Sequence, residues 1–193
     1  MSRNRLCIPL AGIAGVVAAM MTAPSSQADT CPASTTCSTT VTFTVTAPNG
    51  LTITVPNGPV SVGSGTPGNQ ISGQLGSITV SDQRAALTAT WIATVIAASG
   101  GFTTGGGTAA ETIATANVSY WSGPATATTG TGTFAPGQAN AAAAQTLSAS
   151  RTAFSKTTGS GNNSATWNPT IVISVPAQAV TGTYTGTVSH SVA

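Results

Sequence analysis

The sequence predicts an all-β protein, an antiparallel β-sandwich of Ig-like type forming a single domain after a signal peptide. Three observations carry that prediction. Apolar residues alternate with Thr or Ser at period two in one short run after another. Gly, Pro and Asn fill the gaps between runs, in "APNG", "PNGP", "GTPGNQ" and "TGSGNN". No stretch after the N-terminal segment sustains the 3.6-residue apolar period of an amphipathic helix.

The N-terminal segment, 1–28, reads as the signal peptide. Arg3 and Arg5 form a basic head, "CIPLAGIAGVVAAMM" an apolar middle, and "SSQA" a small-residue cleavage site ending at Ala28. The apolar run is shorter than the roughly 20 residues a spanning helix needs, so no membrane insertion is expected after cleavage. Cys7 leaves with it. Residues 29–40 form an N-terminal arm whose Cys31 and Cys37, an even pair in an exported chain, are expected to form a disulfide. So small a loop is worth about 2 kcal/mol on the chain-entropy model. No lipoprotein-processing pattern precedes Cys31, so no lipid anchor is expected.

Residues 41–193 are assigned to the sandwich. "VTFTVT" sets Val41, Phe43 and Val45 on one face; "LTITV" does the same with Leu51, Ile53 and Val55. Ile78 and Val80 follow, then Leu87, Ala89, Trp91, Ala93 and Val95 in "LTATWIATV". Val118 and Tyr120 share a face in "NVSY", and Ile171, Ile173 and Val175 in "TIVISV". "GQANAAAAQTL" has no apolar stripe and is read as a turn or two of helix. The Gly/Thr stretches "GGFTTGGGTAAET" and "ATATTGTGTFAPGQ" are read as loops, because alternating strands resume after each.

Charge narrows the function classes. Past residue 28, Arg84, Arg151 and Lys156 balance Asp29, Asp82 and Glu111. There is no basic patch for nucleic acid and no polybasic segment for anionic lipid. The polar surface must be hydroxyl and amide instead. Chemistry is equally sparse. Asp82 and Glu111 are the available carboxylate pair, without spacing that makes them converge. Asp82 in "SDQR" has a nearer partner, and Asp82 with Arg84 is read as a structural ion pair or turn bond. A Ser–His–Asp set would need His190, yet no "GxSxG" elbow is present. The reading is no enzyme, no cofactor and no metal site.

Aromatic residues are the remaining lead. Trp91 lies in register with Val95, which reads as core. Tyr120 points inward, so Trp121 points outward beside "SGP", open to a sugar ring or partner chain unless its own loop covers it. Trp167, sharing parity with Ile171, is read as capping the core where a strand begins. In "TYTGTVSHSV" the sole histidine, His190, shares a face with Tyr184, Val188 and Val192. That placement reads as a hydrogen-bonded core or rim residue.

The order "ITVSDQRAALTATWIATV", "FTTGGG", "ANVSYW" and "VPAQAVTGTYTGTVSHSVA" resembles the WxL-domain surface proteins of Gram-positive bacteria. Members carry a Val-x-Asp-x-Arg stretch before a first Trp-x-Leu, and a Gly-x-Tyr hairpin before a second near the C-terminus. The resemblance, from Val41 on, implies a secreted, extracellular or wall-associated β-sandwich bound non-covalently to peptidoglycan. By position, Trp91 matches the first tryptophan and Ala93 its leucine; His190 matches the second tryptophan and Val192 its leucine. These four, with Trp121, are the expected contacts with wall glycan or other surface proteins. His190 then replaces a family aromatic. Both motifs depart from the pattern, as "WIA" and "HSV". With no LPxTG-like signal or apolar C-terminal tail, a covalent anchor is not expected. The rival expectations are a self-assembling subunit of a fibre or surface layer, its strands near the termini adding to a neighbour's sheet edge, and a freely secreted adhesion module.

Overall fold

A computed structural model describes residues 31–48 and 50–193; the signal peptide read over 1–28 lies outside the described residues. The chain divides into two units, Met1–Thr44 and Val45–Ala193. In the first, Cys31 and Cys37 stand at disulfide distance with Cα atoms 6.0 Å apart. The Thr35 amide and hydroxyl both donate to Pro32 O and close the small loop. The strand expected over "VTFTVT" does not form: residues 41–46 have no regular structure, and Phe43 is 85% exposed. Alternation supplies a face for a sheet, but a strand also needs a backbone partner for its N–H and C=O groups.

The second unit is built of short strands: β1 (Leu51–Thr54), β2 (Gln70–Gln74), β3 (Ile78–Asp82), β4 (Trp91–Ala97), β5 (Phe102–Thr103), β6 (Thr112–Ile113) and β7 (Val118–Trp121). After these come β8 (Ala125–Thr129), β9 (Phe134–Pro136), β10 (Gln145–Thr146), β11 (Arg151–Lys156), β12 (Asn163–Trp167), β13 (Thr170–Ser174) and β14 (Val188–Val192). Among the described residues helix is confined to 3-10 turns; the expected helical stretch in "GQANAAAAQTL" shrinks to Ala141–Ala143, capped by the Asn140 side chain. All strand pairs are antiparallel, in the orders β1-β3-β12-β8, β10-β7-β13-β2 and β14-β4-β11-β9, with a β5-β6 ribbon. The all-β, antiparallel, sandwich-like class expected from sequence is therefore what the structure holds. This strand order does not by itself specify an Ig-like arrangement.

Each sheet buries its apolar face. Ile78 and Val80 come from β3, Trp91, Ala93, Val95 and Ala97 from β4, Val118 and Tyr120 from β7, Ala165 and Trp167 from β12, and Ile171 and Ile173 from β13. A bulge in β11 between Thr152 and Phe154 shifts the register against β4. The extra residue lets Ala153 and Phe154 both turn inward and brings Lys156 onto the inward face as well. Trp167 stacks on Phe154 at 4.9 Å between ring centroids and donates from Nε1 to the Tyr120 hydroxyl at 3.1 Å. It is fully buried at the end of β12 rather than at the start of a strand.

Leu87 departs from expectation. It shares parity with Trp91, yet it is 90% exposed, because β4 begins only at Trp91. Tyr184 also stands before its expected strand, which starts at Val188; its hydroxyl donates to Ala110 O and Val180 O.

Candidate functional site

Asp82 ends β3 with its side chain buried. The Arg84 amide donates to its Oδ1 at 3.1 Å, closing a turn, while Arg84 Nε and Nη2 donate to Oδ1 and Oδ2 at 2.9 Å each. Both alternatives read from "SDQR", ion pair and turn, are present together. Arg84 Nη2 continues to Thr90 O at 2.8 Å, so the guanidinium spans segment 83–90 from end to end. The Arg84 bonds, followed by that from Asn163, hold the Asp82 carboxyl below its usual range against the opposing effect of burial.

Asn163 and Lys156 complete this end of the fold and were not singled out in the sequence. Trp91 Nε1 donates to Asn163 Oδ1 at 2.8 Å, and Asn163 Nδ2 donates to Asp82 Oδ2 at 3.3 Å and Gly161 O at 3.1 Å. Lys156 is buried and gives its ammonium to Ala89 O and Thr158 O, both at 2.7 Å, above the Phe134 ring. Parity could have found both: Asn163 alternates with Ala165 and Trp167, and Lys156 with Phe154. Every polar group here is aimed at another group of the protein. The arrangement fastens loops 83–90 and 157–162 to the core and presents no nucleophile–base pair.

The residues expected to meet a partner are divided by the fold. Trp91 is 2% exposed and Ala93 fully buried, so both serve the core and offer no contact surface. Val192 is half-buried, pairs with Ala93 and packs against the core. Trp121 does lie on the face opposite Tyr120, but only half exposed. Gly123, at φ +68°, lies close enough that a Cβ there would sit 3.3 Å from the indole, so the "SGP" loop covers the ring.

His190, on β14, pairs with Val95 of β4 and meets Tyr120 in a tilted contact, 5.8 Å between centroids. The inward face read from the sequence is correct, but the hydrogen bond expected of it is missing: Nε2 is buried without a partner. Burial alone lowers its pKa from 6.5 to about 4, so the ring is neutral at pH 7.

Among the described residues, no cluster of three His, Cys, Asp or Glu side chains is placed to hold a metal ion, and no helix is long and apolar enough to cross a membrane. A depression lined by Thr90, Trp91, Ile92, Lys156, Thr157 and Ala193 is mostly apolar. The remaining charged side chains among the described residues are also engaged. Glu111 accepts from the Thr108 hydroxyl and amide, which hold it below the usual carboxylate range, and Arg151 Nε donates to Thr146 O.

Comparison with family models, with curated proteins and with solved structures returns no match.

Proposed function

We propose that this chain is an exported, non-catalytic module of the bacterial cell surface that associates non-covalently with wall glycan, in the manner its resemblance to WxL-domain proteins implies. One observation supports this reading most. Each charged side chain of the described residues, Asp82, Arg84, Glu111, Arg151 and Lys156, is committed to a partner within the protein. What is left for a partner is hydroxyl and amide surface with scattered exposed apolar side chains such as Leu87 and Ile92, which suits an uncharged, polyhydroxylated ligand better than a polyanion or a charged membrane. The test is a pull-down of the mature protein on purified Gram-positive sacculi at low and high salt. Saturable binding that barely changes between about 0.05 and 1 M salt is expected, since screening acts only on charges. Absence of binding overturns the reading, and binding lost in salt assigns it to charges instead.

A second reading, self-assembly, is favoured by the alternating segment Val41–Thr46, whose apolar residues are exposed and whose backbone has no strand partner. On this reading, concentrated protein sediments as oligomers, and Phe43→Asp returns it to monomer without changing the melting temperature. Monodisperse parent protein at high concentration removes the idea.

A further inference from the structure

The outer face of the β1-β3-β12-β8 sheet carries a grid of hydroxyls set by register. Thr52, Ser81, Ser164 and Thr129 stand opposite one another in a row across the four strands. Two residues along, Thr54, Thr79 and Thr166 form a second row that ends at Ala127. Neighbours in a row stand about 4.8 Å apart and the rows about 6.8 Å apart, from strand spacing and rise. The residues between, Ile53, Val80 and Ala165, belong to the buried side.

We propose that this face is the binding surface for a neutral polysaccharide strand, which rests on the reading above and names its site. The hydroxyls are already aligned: Thr79 and Thr166 bond each other at 2.9 Å, Thr129 and Ser164 at 2.7 Å. A hydroxyl has one proton and two lone pairs, so each bonded pair still offers a donor and acceptors outward. The β-branched threonines are stiff at χ1, and short side chains lose little rotamer freedom when a ligand arrives. No charged residue occupies either row. A second copy or another protein is a poorer fit, because protein interfaces centre on buried apolar anchors and these rows supply none. The outer face of β4, by contrast, exposes Ile92 and Ile96.

The experiment measures binding of the mature protein to sacculi and to two uncharged polysaccharides, chitin and cellulose. Beside the parent stand Thr79→Val/Thr166→Val and Ser164→Val/Thr129→Val. Removing both members of a hydrogen-bonded pair leaves neither partner orphaned, so folding is expected to survive; a thermal melt verifies it. Thr94→Val/Ser191→Val, which removes the 2.8 Å pair on the β14-β4-β11-β9 sheet, is the control. Each grid variant is expected to bind at least tenfold more weakly, with the control unchanged. Parent binding that both grid variants retain within twofold overturns the site and leaves the wall reading standing. Binding to chitin or cellulose but not sacculi, lost in the grid variants, upholds the site and removes the wall. No binding to any of the three overturns both.

Discussion

Asp82→Ala is expected to cost roughly 2–4 kcal/mol of stability, the cost of stranding donors around a buried acceptor. The Arg84 side chain left behind is 35% exposed and regains water, which keeps the loss below that of a fully buried pair. The substitution strands three donors at once: the Arg84 guanidinium, the Arg84 amide and Asn163 Nδ2. The loss should appear as a lower urea midpoint with unchanged slope. Asp82→Asn keeps the shape and one acceptor oxygen, so it should cost less, about 1–3 kcal/mol. The effect should also spread. With Arg84 no longer held to Thr90 O, amides of 83–90 should exchange with solvent faster than those of β3 and β4. If Asp82→Ala melts within about 0.5 kcal/mol of the parent, the typical reach of a surface substitution, the carboxylate is not the clamp described. The sign of its pH effect follows from the lowered pKa. Its stabilisation is present above the ordinary value of 3.8 and is lost as pH falls through the lower folded value.

A separate acid-sensitive window belongs to His190. Its folded pKa of about 4 lies below the ordinary 6.5, so between the two the unfolded chain binds the extra proton. Stability therefore falls as pH drops from about 6.5 toward 4, then levels off for this group. The total is on the order of 3 kcal/mol for a mostly buried imidazole. The window lies above that of Asp82, and Tyr120, which faces the ring, stays protonated because burial raises its pKa. His190→Phe should flatten the slope between pH 6.5 and 4 and gain about 1–2 kcal/mol at neutral pH, since it removes a buried nitrogen that has no partner. Equal slopes in parent and variant, from denaturant melts at pH 7, 5.5 and 4.5, would show that the imidazole is solvated.

The sequence alone determined which faces of the strands are buried where alternation runs unbroken; the β11 bulge, which turns Ala153 and Phe154 both inward, is an exception that only pairing decided. Val118 and Tyr120, or Ile171 and Ile173, point inward because successive side chains leave a strand on opposite sides, a property of local backbone geometry. It also showed the near absence of charge and the Asp82–Arg84 pairing, which needs only two residues' separation. Tertiary structure decided which alternating runs become strands at all. "VTFTVT" has the same pattern as β1, but a strand forms only where another backbone completes its hydrogen bonds. Leu87 has the parity of Trp91 and is nonetheless exposed, because β4 begins only at Trp91, beyond the segment that Arg84 bridges to Thr90. The inward face of Trp91 was legible from its register with Val95, but the partner that satisfies its buried indole N–H, Asn163, lies 72 residues away and only the fold brings it there. The hydroxyl grid is likewise invisible in any one segment. Thr52, Ser81, Ser164 and Thr129 are unremarkable apart, and only the register of four strands, fixed by what each buries on its other side, brings them into line.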